Sequence, residues 1–153
     1  MRAFIKENRN KILLLLLASL IFLLWGRAIV REIHNNNAIR DLTTTQARIN
    51  CAASFGWEAD PGSETAGKVQ IPEYFDDVYK EYNKLQTMCG FDLRHYRGKT
   101  VDRYTYIVRN FPYEVSEPVY INLYIYNDTM IAGDCMTTSL SGFMLPIDRR
   151  FTP

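Results

Sequence analysis

The sequence predicts an α+β protein: an N-terminal transmembrane helix followed by two helices packed on one face of a three- to four-stranded antiparallel sheet. Three observations carry this. An uncharged apolar run lies near the start, apolar residues recur at steps of three and four from Phe75 to Cys89, and the period changes to two after Gly98.

The run Ile12 to Gly26 carries no charge over fifteen residues, which is roughly 22 Å of helix against a hydrocarbon core of about 30 Å. Beyond Arg27 the apolar character resumes at Ala28, Ile29 and Val30, so the span reaches roughly 28 Å if Arg27 snorkels to the interface. Trp25 suits that boundary. A cleaved signal peptide is one alternative, since Arg2, Lys6, Arg9 and Lys11 form a basic leader and Gly26 and Ala28 flank Arg27 as small residues, and a buried soluble helix is another. The anchor and signal-peptide readings both place the rest of the chain outside the cytoplasm. The expected location is the cell membrane, single-pass, with residues 1–11 as a basic tail and 12–30 as anchor or signal peptide. Residues 31–45 read as a juxtamembrane linker, 46–147 as the extracytoplasmic domain and 148–153 as a tail.

Charge divides unevenly along the 153 residues. Residues 1–40 carry seven Lys or Arg against two acids, net +5, while 41–153 carry eleven against fifteen, net −4. A negative domain argues against nucleic-acid binding, which rests on neutralising phosphates. The basic share belongs to the membrane end.

Thr43 to Thr45 offer N-caps for a helix through ARINCAASF, and Gly56 sits where a left-handed residue ends one. Trp57 then enters a short strand. In the second helix Phe75, Val78, Tyr79, Tyr82, Leu85, Gln86 and Cys89 line one stripe, with Pro72 at its first position, Lys80 and Lys84 further along and Gly90 closing it. Residues 101–108, 119–126 and 129–136 alternate as strands, the last two joined through Asn127-Asp128, both tolerant of positive φ. An unbroken register pairs Tyr124 with Ile131, Asn122 with Gly133 and Tyr120 with Cys135. It leaves Asp134 on the aliphatic face of Val119, Ile121, Leu123 and Ile125.

The order of signals resembles one family. Arg48-Ile49 precedes SFGWE (54–58); then come Ile71-Pro72 with Phe75, VY-x-x-YN-x-LQ (78–86), GFDL (90–93), Tyr96 with Gly98, Tyr104 with Tyr106, Asn110 with Pro112, Ile131 with Gly133-Asp134, and GFM (142–144). This resembles the domain of unknown function 4830 family, small membrane-anchored proteins of Gram-positive bacteria, over about residues 46 to 147. The resemblance implies an address and a fold but no reaction. Ala132 stands where a first glycine is expected, and Leu145-Pro146 replaces a polar ending.

No local motif declares chemistry: there is no C-x-x-C, H-E-x-x-H, Walker loop or G-x-G-x-x-G. No catalytic residue, metal or cofactor is expected. A thiol enzyme or small hydrolase using Cys135, His95 and Asp134 is the alternative from another class, and a protease-inhibitor-like fold is a further analogy. The three cysteines read as buried small hydrophobes, with a single Cys89–Cys135 bridge as the alternative. Arg94, Arg97, Lys99, Arg103 and Arg109 set five cations against Asp102 between residues 94 and 109. They form either a solvated strand edge or a docking patch for an anionic envelope polymer or lipid headgroup. Tyr120, Tyr124 and Tyr126 share one face, a partner surface if bare and cross-strand packing if covered. The expected role is a non-catalytic, membrane-anchored module that engages a protein partner or an anionic envelope component.

Overall fold

The computed structural model describes residues 9–139 and 141–152, with side chains described for 13–27 and from 39 onward. The chain forms two compact units that divide between Asn37 and Ala38.

The first unit is built on helix α1, Arg9–Ala38. The helix continues through His34 to Asn37, so the start of the expected linker is helical. Its described side chains run from Leu13 to Arg27, and among the described residues no helix is long and apolar enough to cross a membrane. Ile12 and residues 28–30, needed to complete the expected span, lie outside the described side chains.

The second unit is an α+β domain. Its sheet has five strands rather than three or four, all antiparallel, in the order β1 (Thr65–Gln70), β2 (Thr100–Ile107), β3 (Tyr120–Tyr126), β4 (Thr129–Met136) and β5 (Met144–Pro146). Each strand pairs with its neighbour in sequence. Strand β1, TAGKVQ, lies at an edge and is mostly exposed, and β5 has three residues, so neither carries an apolar alternation strong enough to be read beforehand.

Helix α2, Thr45–Ser54, begins where Thr44 caps it, its hydroxyl accepting from the Ala47 N–H at 3.1 Å. It ends at Gly56, whose φ of +94° is open to glycine. Helix α3, Asp77–Met88, starts five residues later than Pro72 predicts. Hydrogen bonds from Ile71 to Lys99 and from Gly98 to Ile71 tie that segment to the sheet end, and Asp76 caps the helix by accepting from the Tyr79 N–H at 2.8 Å.

The helices lie on opposite faces of the sheet, not on one. Cys51 and Ala52 of α2 and the neighbouring Trp57 join Tyr106, Ile121, Leu123, Ile125, Met130 and Cys135 in one core. Tyr79 and Tyr82 of α3 pack with Val101, Ile131, Ala132, Tyr124 and Tyr126 in a second core on the other side. Trp57 is fully buried and its indole N–H donates to the Ile147 carbonyl. Burying a side chain of that size contributes roughly 1.5–3 kcal/mol or more. Leu42 and Ile39 bond across to the β3–β4 hairpin, and Asp148 is buried.

The β3–β4 turn forms as read, with Asn127 and Asp128 at φ of 48° and 58°. The register beyond it does not. A bulge between Tyr124 and Ile125 leaves Ile131 unpaired, so Tyr124 faces Ala132, Asn122 faces Asp134 and Tyr120 faces Met136. One extra residue turns Asp134 away from the aliphatic face and onto the face of Asn122 and Tyr124.

Candidate functional site

Helix α3 places Tyr79, Tyr82 and Gln86 inward, and Lys80, Lys84 and Thr87, at steps of three and four, along another face. Gly90 turns the chain, and a 3-10 turn, Leu93–Tyr96, brings Arg94 and then Arg97 back beside that outer face. The result is a cleft of about 450 Å³ lined by Phe75, Lys80, Asn83, Lys84, Thr87, Arg94 and Arg97. Four of these seven residues are cations and none is an acid.

The cleft is held from below. Asn83 accepts the Leu93 N–H at 2.8 Å and donates to Asp92 at 3.2 Å, fixing the turn to the helix. Asp92 takes Arg94 through two guanidinium nitrogens and the Arg94 backbone N–H. Those hydrogen bonds from Arg94 hold the Asp92 carboxyl well below the usual carboxylate range. Arg97 stacks over Phe75 at 4.9 Å, a cation–π contact that uses the face of the guanidinium and not its N–H edge. Lys80 and Lys84 meet Asp77 at 2.9 Å and Glu81 at 2.6 Å, both one turn back on the exposed helix surface.

The cleft gathers Arg94 and Arg97 from the sequence's basic cluster and adds Lys80 and Lys84, which sequence reasoning treated as helix charge only. Their i, i+4 spacing on the side away from the apolar stripe was the available signal. The rest of the cluster is dispersed. Lys99 is exposed ahead of β2, Arg103 lies across from Tyr124 in the sheet register, and Arg109 pairs with Asp60 at 2.8 Å.

The tyrosine face is not bare. Tyr82 meets Tyr124 edge-on at 6.4 Å and Tyr96 meets Tyr126 at 5.8 Å, while Tyr120 is half-buried at the strand's start. A run of aromatic contacts links Phe75 in the cleft wall through Tyr79 to Tyr82. At its inner end Tyr82 donates to Asp134 at 2.7 Å, and Asn122 donates to the other carboxylate oxygen at 2.7 Å. Thr105 in turn donates to Asn122. Burial raises the Asp134 carboxyl above its ordinary range and raises the Tyr82 and Tyr124 hydroxyls likewise.

Cys135, His95 and Asp134 do not form a nucleophile system. Cys135 is fully buried in the α2-side core, and burial pushes its thiol up to about 12, the reverse of the thiolate a nucleophile needs. Asp134 projects to the opposite face, committed to Tyr82 and Asn122, and His95 lies exposed on the 3-10 turn. Cys51, Cys89 and Cys135 are all free thiols, so no Cys89–Cys135 bridge is present. Among the described residues no group of His, Cys, Asp and Glu is placed to hold a metal ion.

No curated protein and no solved structure matches the chain. The family model for the domain of unknown function DUF4830 matches residues 52–135, which run from the buried Ala52 of α2 to the buried Cys135 of β4 and contain the whole cleft. With more than half of its length matched and the matched segment spanning four of the five strands, the chain belongs to the DUF4830 family.

Proposed function

We propose that the chain is a membrane-anchored, non-catalytic module held outside the cytoplasm, which engages an anionic envelope component at the membrane surface through the cleft beside α3. The cleft carries the reading: four cations from two separate segments line one concavity, and the acids that three of them pair with, Asp77, Glu81 and Asp92, lie outside its lining. Such a surface attracts anions, and tethering beside a membrane raises the local concentration of anionic headgroups it meets. The leader supports the tether. Its described large side chains are all exposed, from 48% at Leu17 to 80% at Phe22, a solvent-facing apolar surface of the kind that lipid covers. The described part falls short of a bilayer, so crossing draws on Ile12 and residues 28–30.

The test uses the full chain held in neutral phosphatidylcholine nanodiscs and mixed with vesicles containing phosphatidylglycerol. Co-flotation that weakens with salt is expected, and Arg94 and Arg97 changed together to Ser should abolish it. Unchanged capture by that variant sinks the proposal. Protease added to intact cells should remove the second unit, and its protection there would refute the topology.

A further inference from the structure

We infer that the cleft receives a terminal phosphate, the dianionic group of a phosphate monoester or pyrophosphate, held by Lys80 and Lys84 of α3 together with Arg94 and Arg97. This rests on the reading of the module as an anion binder and narrows its ligand class.

The neutral polar groups of the cleft are already committed. Both Asn83 amide atoms serve Asp92 and Leu93, and the Thr87 hydroxyl donates to the Lys84 carbonyl at 2.7 Å. What remains to bind a ligand is cationic N–H. A site whose available donors are all charged recognises charge density more than hydroxyl or amide pattern, which favours a dianion over a carboxylate or a sugar. The cations divide into two roles. Arg94 is clamped to Asp92, whose side chain is only 19% exposed, so its guanidinium is fixed before any ligand arrives. The partners of Lys80 and Lys84 are 98% and 70% exposed, and such surface pairs contribute little, so these ammonium groups can exchange Asp77 and Glu81 for a phosphate. Arg97, stacked on Phe75, keeps its N–H edge for oxygen acceptors. A volume of about 450 Å³ leaves room beside the phosphate for an organic portion against Phe75.

Lipid headgroups and soluble phosphate esters share this chemistry, and the arms of the experiment separate them. The full chain in nonionic detergent micelles is titrated calorimetrically with pyrophosphate and, separately, with short-chain phosphatidic acid, at fixed ionic strength. Saturable binding is expected for at least one probe, weakened tenfold or more by Lys80→Ser with Lys84→Ser and unchanged by Arg109→Ser, which lies outside the cleft. Tighter phosphatidic acid identifies a lipid source, and tighter pyrophosphate a soluble one. Both lysines are well exposed, so the double variant should melt with the wild type. Equal binding by wild type and double variant, or none by either, overturns the phosphate assignment. If anionic-vesicle capture still depends on Arg94 and Arg97 in that case, the broader reading survives; if it does not, both fall.

Discussion

The Tyr82 hydroxyl of α3 donates to the Asp134 carboxylate of β4 at 2.7 Å, joining the helix that carries the cleft lysines to the sheet. Asp134 is fully buried and Asn122 holds its other oxygen. Burial raises its carboxyl above the value of 3.8 it has in the unfolded chain. The group therefore favours the fold most below that value, and its contribution is lost as pH rises through the elevated folded pKa. Asp134→Asn should remove this dependence, so the variant's melting temperature relative to wild type should climb as pH is raised from about 4. A difference that is flat with pH would show that Asp134 ionises as an ordinary carboxyl.

Tyr82→Phe tests the same bond from the other side. Without the phenol the ionised carboxylate lacks one donor, a loss of about 1–3 kcal/mol for a buried group, while the protonated acid suffers less. Destabilisation should be larger at pH 7 than at pH 4 by thermal melts. Equal losses at both pH values would mean the tyrosine matters only through packing.

Arg48 and Glu64 form a partly buried ion pair, at 3.0 Å, with Tyr106 donating to Glu64 and Arg48 stacked on Tyr104 at 3.8 Å. Their side chains are 6% and 24% exposed, and that asymmetry predicts unequal variants. Glu64→Gln leaves the buried guanidinium without its counter-charge, although Leu42, Thr45 and Tyr106 still accept from it, whereas Arg48→Met leaves a carboxylate that can hydrate and should cost less. Burial opposes ionisation of Glu64, and hydrogen bonds from Tyr106 and Arg48 more than offset it, leaving its pKa depressed. Its contribution is therefore present above 4.5, the unfolded value, and fades as pH falls through the folded one, the opposite sign to Asp134. Denaturant melts of both variants at pH 7 check the order, and a costlier Arg48→Met reverses the argument.

The local devices of this fold were readable because each depends on neighbours in sequence. Thr44 caps α2, Gly56 and Gly90 end their helices, and Asn127-Asp128 turns the hairpin. What escaped depends on pairing across the sheet. The unpaired Ile131 leaves no mark in a period-two pattern, yet it decides which face receives Asp134. The face that α3 covers likewise follows from Val101, Ile131 and Ala132, not from the helix's own stripe, and Val78, expected inward, is 78% exposed. Half of the cleft's cations were visible as the basic run after Asp92. Lys80 and Lys84 were not, because only the turn at Gly90 brings Arg94 and Arg97 back to them.

Gly133 faces Leu123 just past the bulge, and a Cβ there would lie 2.5 Å from both the Ile147 and Met130 termini and 2.9 Å from the Asn122 carbonyl oxygen. The two side chains can shift; the carbonyl is in the ladder and cannot. Gly133→Ala should cost about 1–3 kcal/mol as overpacking, read from the denaturant midpoint. A neutral substitution would mean β4 moves away from β3 more freely than this register allows.

The three thiols should separate by accessibility. Cys51 and Cys135 are fully buried with thiols pushed up to about 12, while Cys89 at the end of α3 is half-buried. Alkylation requires the thiolate and a path to it. Native protein treated with iodoacetamide at pH 8 should therefore label first at Cys89, and Cys51 and Cys135 only after denaturation, with no further label released by reductant. Mass spectrometry of the digested chain reads all three positions. Early labelling of Cys135 would place it outside the core that α2 covers, and label appearing only after reduction would replace the free thiols with a bridge.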